Sequence, residues 1–310
     1  MTRCPSGDIA GKALLSVAFL LIFFLGACDE KTPAAEQQDA GSSQTGENEQ
    51  ASQTAKQADA REESQLVPFN AAYHLTLRRG IQTSSIDAYE GVLLLTLENT
   101  CDGYITNQRL TAQLTNTDNK TILSDFVSSS WESRDWLTFN FNKVNKINNK
   151  MVEEVDNEAE RPSPESAGKI IRRKPKPQTL DLPAGIQFPT QYSVAMLDAA
   201  QRGKTVYSAE MNDGSNDALV YLVTTFIGHK AIADSSEEET SEFPQLKGLA
   251  YWPVEMSYHD MKNQDLLPDF QIEMRLYENG LGTRLVMDYG EFALNGTLSR
   301  LEILDQPKCP

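Results

Sequence analysis

The feature that most constrains this chain is an alternation of period two that starts near Leu66 and runs to the C-terminus. Tyr73, Leu75 and Leu77 alternate with His74, Thr76 and Arg78, and Leu137, Phe139 and Phe141 with Thr138, Asn140 and Asn142. Phe270, Ile272, Met274 and Leu276 alternate in the same way with Gln271, Glu273, Arg275 and Tyr277. Successive side chains of a strand leave opposite faces of a sheet, so each run reads as a strand with one buried and one wet face. About fourteen runs are predicted, at 67–79, 87–101, 103–116, 121–131, 135–146, 149–160, 167–174, 178–182, 205–212, 217–229, 249–259, 269–277, 283–292 and 294–304. Strands do not alternate with helical patterns, so the expected sheet is antiparallel and meandering. Asp102-Gly103, Asn279-Gly280 and Asn295-Gly296 are expected at its hairpin turns.

One segment breaks the pattern. From Thr190 to Arg202 the residues Val194, Leu197 and Ala200 or Gln201 fall on helical spacing, with Pro189 to open a helix and Gly203 to stop it. A lone helix among so many strands is expected to cap or plug the open end of a curved sheet, with Leu197 facing inward. A single round barrel of fourteen strands is too wide for its own side chains to fill. The sheet must flatten, take in the helix or leave a cavity. The acidic run from Asp234 to Glu242 lacks the spaced ligands of a calcium loop and is expected to be a solvated excursion between strands.

The N-terminus follows other rules. Arg3 and Lys12 flank a charged region, and Ala13 to Leu25 is a run of 13 residues without a charge. That is about 20 Å of helix, too short for a membrane span and right for an export signal. It ends in Leu25-Gly26-Ala27-Cys28, which resembles the bacterial lipobox, so residues 1–27 read as a lipoprotein signal and Cys28 as the thiol that receives the lipid. Asp29 resembles the signal that retains such proteins in the inner membrane. Residues 29–65 contain no Val, Ile, Leu, Met, Phe, Tyr or Trp and carry nine acids against three bases. Nothing there offsets the entropy of ordering, so 28–65 reads as a lipidated cysteine followed by a disordered acidic tether. Its root-mean-square reach is roughly 30 to 35 Å. The folded part, 66–310, is expected to be one domain.

Charge and motifs narrow the function. Without its leader the chain has 26 basic and 43 acidic residues, a net charge of −17, which argues against nucleic acid and anionic lipid as electrostatic partners. Three histidines, at 74, 229 and 259, leave little for a metal cage. No H-E-x-x-H, C-x-x-C, G-x-S-x-G or G-x-G-x-x-G occurs. Gly203-Lys204-Thr205 ends a helix where a phosphate loop would begin one. Ser166-Ala167-Gly168-Lys169 has the S-x-x-K spacing without its partner motifs, and His259-Asp260 has no nucleophile in evidence. Arg172-Arg173-Lys174-Pro175-Lys176-Pro177 reads as an edge strand guarded by charge and proline. No catalytic residue, metal or cofactor is therefore expected.

Several short blocks rise above composition: Cys101-Asp102-Gly103-Tyr104, Trp131-Glu132, Lys174-Pro175-Lys176-Pro177, Leu180-Asp181-Leu182-Pro183-Ala184-Gly185, Phe188-Pro189-Thr190, Asp213-Gly214-Ser215, Trp252-Pro253-Val254, Tyr277-Glu278-Asn279-Gly280, Asp288-Tyr289-Gly290 and Cys309-Pro310. In this order the chain resembles the EipB-type cell-envelope integrity family of alphaproteobacteria, over about 67 to 310. The resemblance implies a periplasmic, all-β, antiparallel spiral or broken barrel of about fourteen strands with one disulfide and no known catalytic residue. It implies a part in maintaining the envelope, which is expected to work by binding a periplasmic protein, peptide or envelope component. A lipid or lipoprotein carrier with an apolar cavity is the alternative. Once the leader is gone and Cys28 is lipidated, Cys101 and Cys309 are the remaining thiols, and an oxidising compartment would join them.

Overall fold

The computed structural model describes residues 66–78, 86–214, 220–262 and 267–309. The expected leader, Cys28 and the acidic tether lie outside the described residues. The strands are β1 (Phe69–Leu77), β2 (Ile86–Asn99), β3 (Gly103–Asn116), β4 (Thr121–Ser133), β5 (Thr138–Ile147), β6 (Lys150–Glu160), β7 (Gly168–Lys174) and β8 (Gln178–Leu182). After helix α1 (Pro189–Gln201) come β9 (Val206–Met211), β10 (Tyr221–Ile227), the short β11 (Ala231–Ile232), helix α2 (Glu238–Glu242), β12 (Ala250–Asp260), β13 (Phe270–Tyr277), β14 (Gly282–Asp288) and β15 (Ala293–Ile303).

All fifteen belong to one antiparallel sheet in the order β8-β7-β6-β5-β4-β3-β2-β1-β15-β14-β13-β12-β10-β9, with β11 beside β12. The all-β expectation and its strand positions hold. The strand that alternation could not reveal is β11, whose two residues are too few to show a period. The first and last strands, β1 and β15, pair in mid-sheet from Phe69 opposite Ile303 to Leu77 opposite Leu294. The outermost strands β8 and β9 are not paired with each other. Gln187, just beyond β8, makes a single parallel bridge to Met211 of β9, donating to the Glu210 carbonyl and accepting from Asn212 N–H. The sheet curls until its edges nearly meet, and one residue spans the seam.

Helix α1 lies in the concavity. Pro189 fixes the first helical φ, and Gly203, at φ +73°, ends the helix by a left-handed turn that carries its N–H to the Ala200 carbonyl. Leu197 is fully buried, as its spacing predicted, and so are Tyr192, Val194, Met196 and Ala200. The Tyr192 hydroxyl meets Thr225 Oγ1 of β10 at 2.7 Å and its ring packs edge-on against Tyr207 of β9. A helix buried on nearly every side belongs to the core and does not merely lid it.

Three local readings are corrected. Asn295-Gly296 is not a turn: it lies inside β15, where a Cβ on Gly296 would sit 3.0 Å from Leu285 Cβ and 3.1 Å from Leu75 Cδ2. The β14–β15 turn falls instead at Gly290, φ +78°. The acidic run is solvated only in part: Asp234, Ser235, Ser236, Glu238, Ser241 and Glu242 are exposed, but the run carries a short helix and two of its acids are engaged. Glu237 and Glu239 pair with Arg275 of β13 at 2.5 and 3.4 Å, Thr240 is buried, and Arg284 of β14 reaches Glu237 at 3.2 Å. The basic stretch is not an edge either. β7 is flanked by β6 and β8, and its cations face carboxylates of β6, with Arg173 paired to Asp156 and Glu158 and Lys174 to Glu154.

Candidate binding cavity and its helix latch

Between α1 and the inner face of the sheet lies a cavity of about 160 Å³, partly open to solvent. Its apolar wall comes from Phe69, Leu97, Met256, Met274, Leu276 and Leu285, with Met196 of α1 above. Its polar strip is a register pair of rows on β3 and β4: Gln108 opposite Ser128, and Thr106 opposite Ser130. Alternation alone brings these side chains to one face, because every second residue of each strand points inward. Met196, Met211, Met256 and Met274 give the wall adaptable shape. An apolar cavity of comparable size, about 150 Å³, accepts a benzene-sized guest. The space therefore suits a short apolar segment, not a folded partner.

The helix that roofs the cavity is held by a latch. A helix N-terminus exposes N–H groups that need acceptors, and its N-cap here is Phe188, whose side chain has none to offer. Gln191 supplies half of a capping box, with its Oε1 accepting the Phe188 N–H at 3.2 Å. The missing acceptor comes from another strand. Glu132 of β4, 1% exposed, accepts the Thr190 N–H at 2.7 Å and the Gln191 N–H at 3.1 Å, one on each carboxylate oxygen. Arg161 completes the group by donating to the Trp136 carbonyl at 2.8 Å, to the Ile186 carbonyl, and to Gln191 Oε1 at 2.8 Å. Its guanidinium carbon lies 4.3 Å from the centroid of the Phe188 ring. Burial pushes the Glu132 carboxyl up to about 7, against the lowering effects of its hydrogen bonds from Thr190 and Gln191 and of the Arg161 charge.

The structure joins Cys101 and Cys309 in a disulfide with Cα atoms 5.4 Å apart. It lies beside the β2–β3 turn and far from the seam. His259 is half-buried on β12, opposite Leu222 of β10. Ser166 bonds Ser163 across a local turn. Among the described residues no group of three or more His, Cys, Asp and Glu could hold a metal ion. No helix among them is long and apolar enough to cross a membrane. Glu132 and Arg161 escaped the sequence reading as functional residues. The available signal was indirect: a helix opened by Phe-Pro has no local acceptor, so one must come from elsewhere in the fold.

Fold and cavity together define a class, a β-sheet coiled into an open spiral around one buried helix with an internal cavity. Within that class the chain belongs to the EipB-like family, whose model matches residues 60–305. The cell envelope integrity protein EipB of Brucella abortus is 32% identical over 253 residues, which cover 81% of this chain and 89% of the relative. The crystal structure of a β-barrel-like protein of a domain of unknown function from Brucella abortus superposes with a TM-score of 0.72 at 30% identity, covering 78% of this chain and all of that one.

Proposed function

We propose that this protein helps maintain the cell envelope as a non-catalytic binder, taking an apolar part of an envelope protein, peptide or lipid into the cavity beneath α1. The observation that carries this reading is the cavity itself, with an apolar wall facing a strip of hydroxyl and amide groups. The relative's name, a cell envelope integrity protein, supports the process. The carrier alternative is favoured by the cavity's size, since an acyl segment fits where a folded element does not. Lipidation at Cys28 would hold the domain at the periplasmic face of a membrane, and Asp29 would keep it at the inner one. A photo-crosslinking residue at Met196, activated in living cells, tests the reading. Mass spectrometry should find a lipid or peptide adduct there and none from the same residue placed at exposed Lys204. Equal adducts at both positions would overturn it. A fatty-acid probe should label the parent and not Cys28→Ser, and equal labelling would overturn the anchor.

A further inference from the structure

In a meander every second turn falls at the same rim. The turns β3–β4 (117–120) and β5–β6 (148–149) therefore share one end of the sheet. The β7–β8 hairpin stops short of it, because Lys174 lies opposite Asp156, six residues inside Lys150. With neighbouring strands about 4.8 Å apart, the two turns cover roughly 15 Å of rim.

Lys120, Lys146 and Lys150 stand exposed on or beside these turns. Among the described residues none of the three has a carboxylate within ion-pair distance. Of the acids near them, Glu153 is held by Lys143, Glu154 by Lys174 and Asp125 by Arg109, which leaves Asp118 as the one exposed acid on these two turns. Beside the lysines stand large apolar side chains in water: Met151 is 60% exposed, Val152 49% and Leu123 46%. Leu123 belongs to the same tip, because its N–H donates to Asn148 Oδ1 in the β5–β6 turn. In a chain of net charge −16, a rim of unpaired cations around bare apolar side chains is a local reversal.

We propose that this rim docks on an anionic lipid surface, with Met151, Val152 and Leu123 entering the interface and the three lysines lying over headgroup phosphates. Charge alone would fit any polyanion, the chain's own acidic segment 29–65 included. That segment has no large apolar residue to cover the three exposed ones, whereas a lipid surface answers both features. Each lysine near such a surface contributes about a fivefold gain in partitioning. The contact is weak and reversible, so it orients the domain without anchoring it. Leu66, packed at Gly280, lies at the opposite rim, roughly 45 Å away along a strand of fourteen residues. A segment of 37 residues can span up to about 120 Å, so docking and a lipid anchor at Cys28 are compatible.

The test uses residues 28–310 carrying Cys28→Ser, so that neither the apolar run Ala13–Leu25 nor an acyl chain at position 28 contributes. It is sedimented with vesicles of phosphatidylcholine, with or without phosphatidylglycerol. Binding is expected only with phosphatidylglycerol and should fall as salt rises. Lys146→Glu with Lys150→Glu should lower partitioning about tenfold or more, and Met151→Ser with Val152→Ser severalfold at any salt. Lys204→Glu, exposed but off the rim, should bind as the parent does. All three variants should melt with the parent. Binding to both vesicles alike, or rim variants that bind as the parent does, would overturn the proposal. So would an absence of vesicle binding together with crosslinks from Lys146 or Lys150 to carboxylates of 29–65, which would assign the rim to that segment.

Discussion

The inner face of the spiral is two surfaces with different chemistry. From β10 through β15 to β2 it is apolar, with Val223, Met256, Tyr258, Ile272, Leu276, Leu285, Leu294, Leu75 and Leu93 in one continuous core. From β4 to β7 it carries Ser128, Lys143, Asn145, Asn157 and Arg172, all buried, with a smaller separate cluster around Phe139, Val155 and Ile170. Lys143, 1% exposed, meets Glu153 at 2.6 Å. Taking two charges out of water costs nearly what their attraction returns, so such a pair adds specificity more than stability. Apolar burial contributes roughly 25 cal/mol per Å², and the first surface has far more of it. The difference teaches where the molecule can yield. The polar side ends at the free strand β8 and borders the cavity, while the apolar side holds the fold.

The largest expected effect comes from the bond that pins the end of the chain beside the apolar surface. The Cys101–Cys309 disulfide ties the β2–β3 turn to the tail beyond β15, across β1. Chain-entropy arithmetic for a closed loop of this length gives about 5 kcal/mol as an upper bound. Cys309→Ser should lower denaturant stability by up to that amount, with hydrogen exchange rising first in β4–β8. Exchange rising equally in β12–β15 would erase the contrast. Next come matched truncations. Ile272→Ala in the apolar core should cost about 4 kcal/mol, and Ile170→Ala in the small cluster about 2 kcal/mol, because the latter can relax toward an edge. A reversed order in urea melts would break the comparison.

The latch gives the third prediction. Because the folded Glu132 carboxyl titrates near 7, above its unfolded value near 4.5, folding favours its protonated form. The stability it contributes is present below about 4.5 and is lost as pH rises through 7, an effect of roughly 3 kcal/mol. Glu132→Gln should flatten that part of the pH–stability profile, and an unchanged slope would show that another group governs it. The smallest effect should be at the surface of the polar half. Lys174→Ala removes an exposed pair with Glu154 and should leave the melting temperature unchanged within error.

The strands were legible because alternation is local and repeated. Tyr73, Leu75, Ile272 and Leu276 all face inward as their spacing required. Helix α1 was legible from Pro189 and Gly203, which act within one turn of chain. What stayed hidden depends on distant pairs. Whether the acids at 237 and 239 meet water or Arg275 is decided by how β13 passes beneath them. The latch needed β4 to bring Glu132 under the helix, and a single strand's pattern cannot show that. Net charge is blind in another way: a sum over the chain carries no information about a rim where Lys120, Lys146 and Lys150 gather.

The pairing of β1 with β15 also sets an order of events. Residues 69 and 303 are neighbours in the sheet, yet nearly the whole folded part of the chain lies between them. A polypeptide delivered N-terminus first can zip β1 through β8 by short hairpins as they emerge, since each pairing is local. During that time one side of β1 stays bare, an open invitation to strands of other chains. Only the final strand can cover it. A chain released without its last fifteen residues would therefore be sticky at its centre, and premature termination should produce aggregates instead of a shorter, soluble spiral.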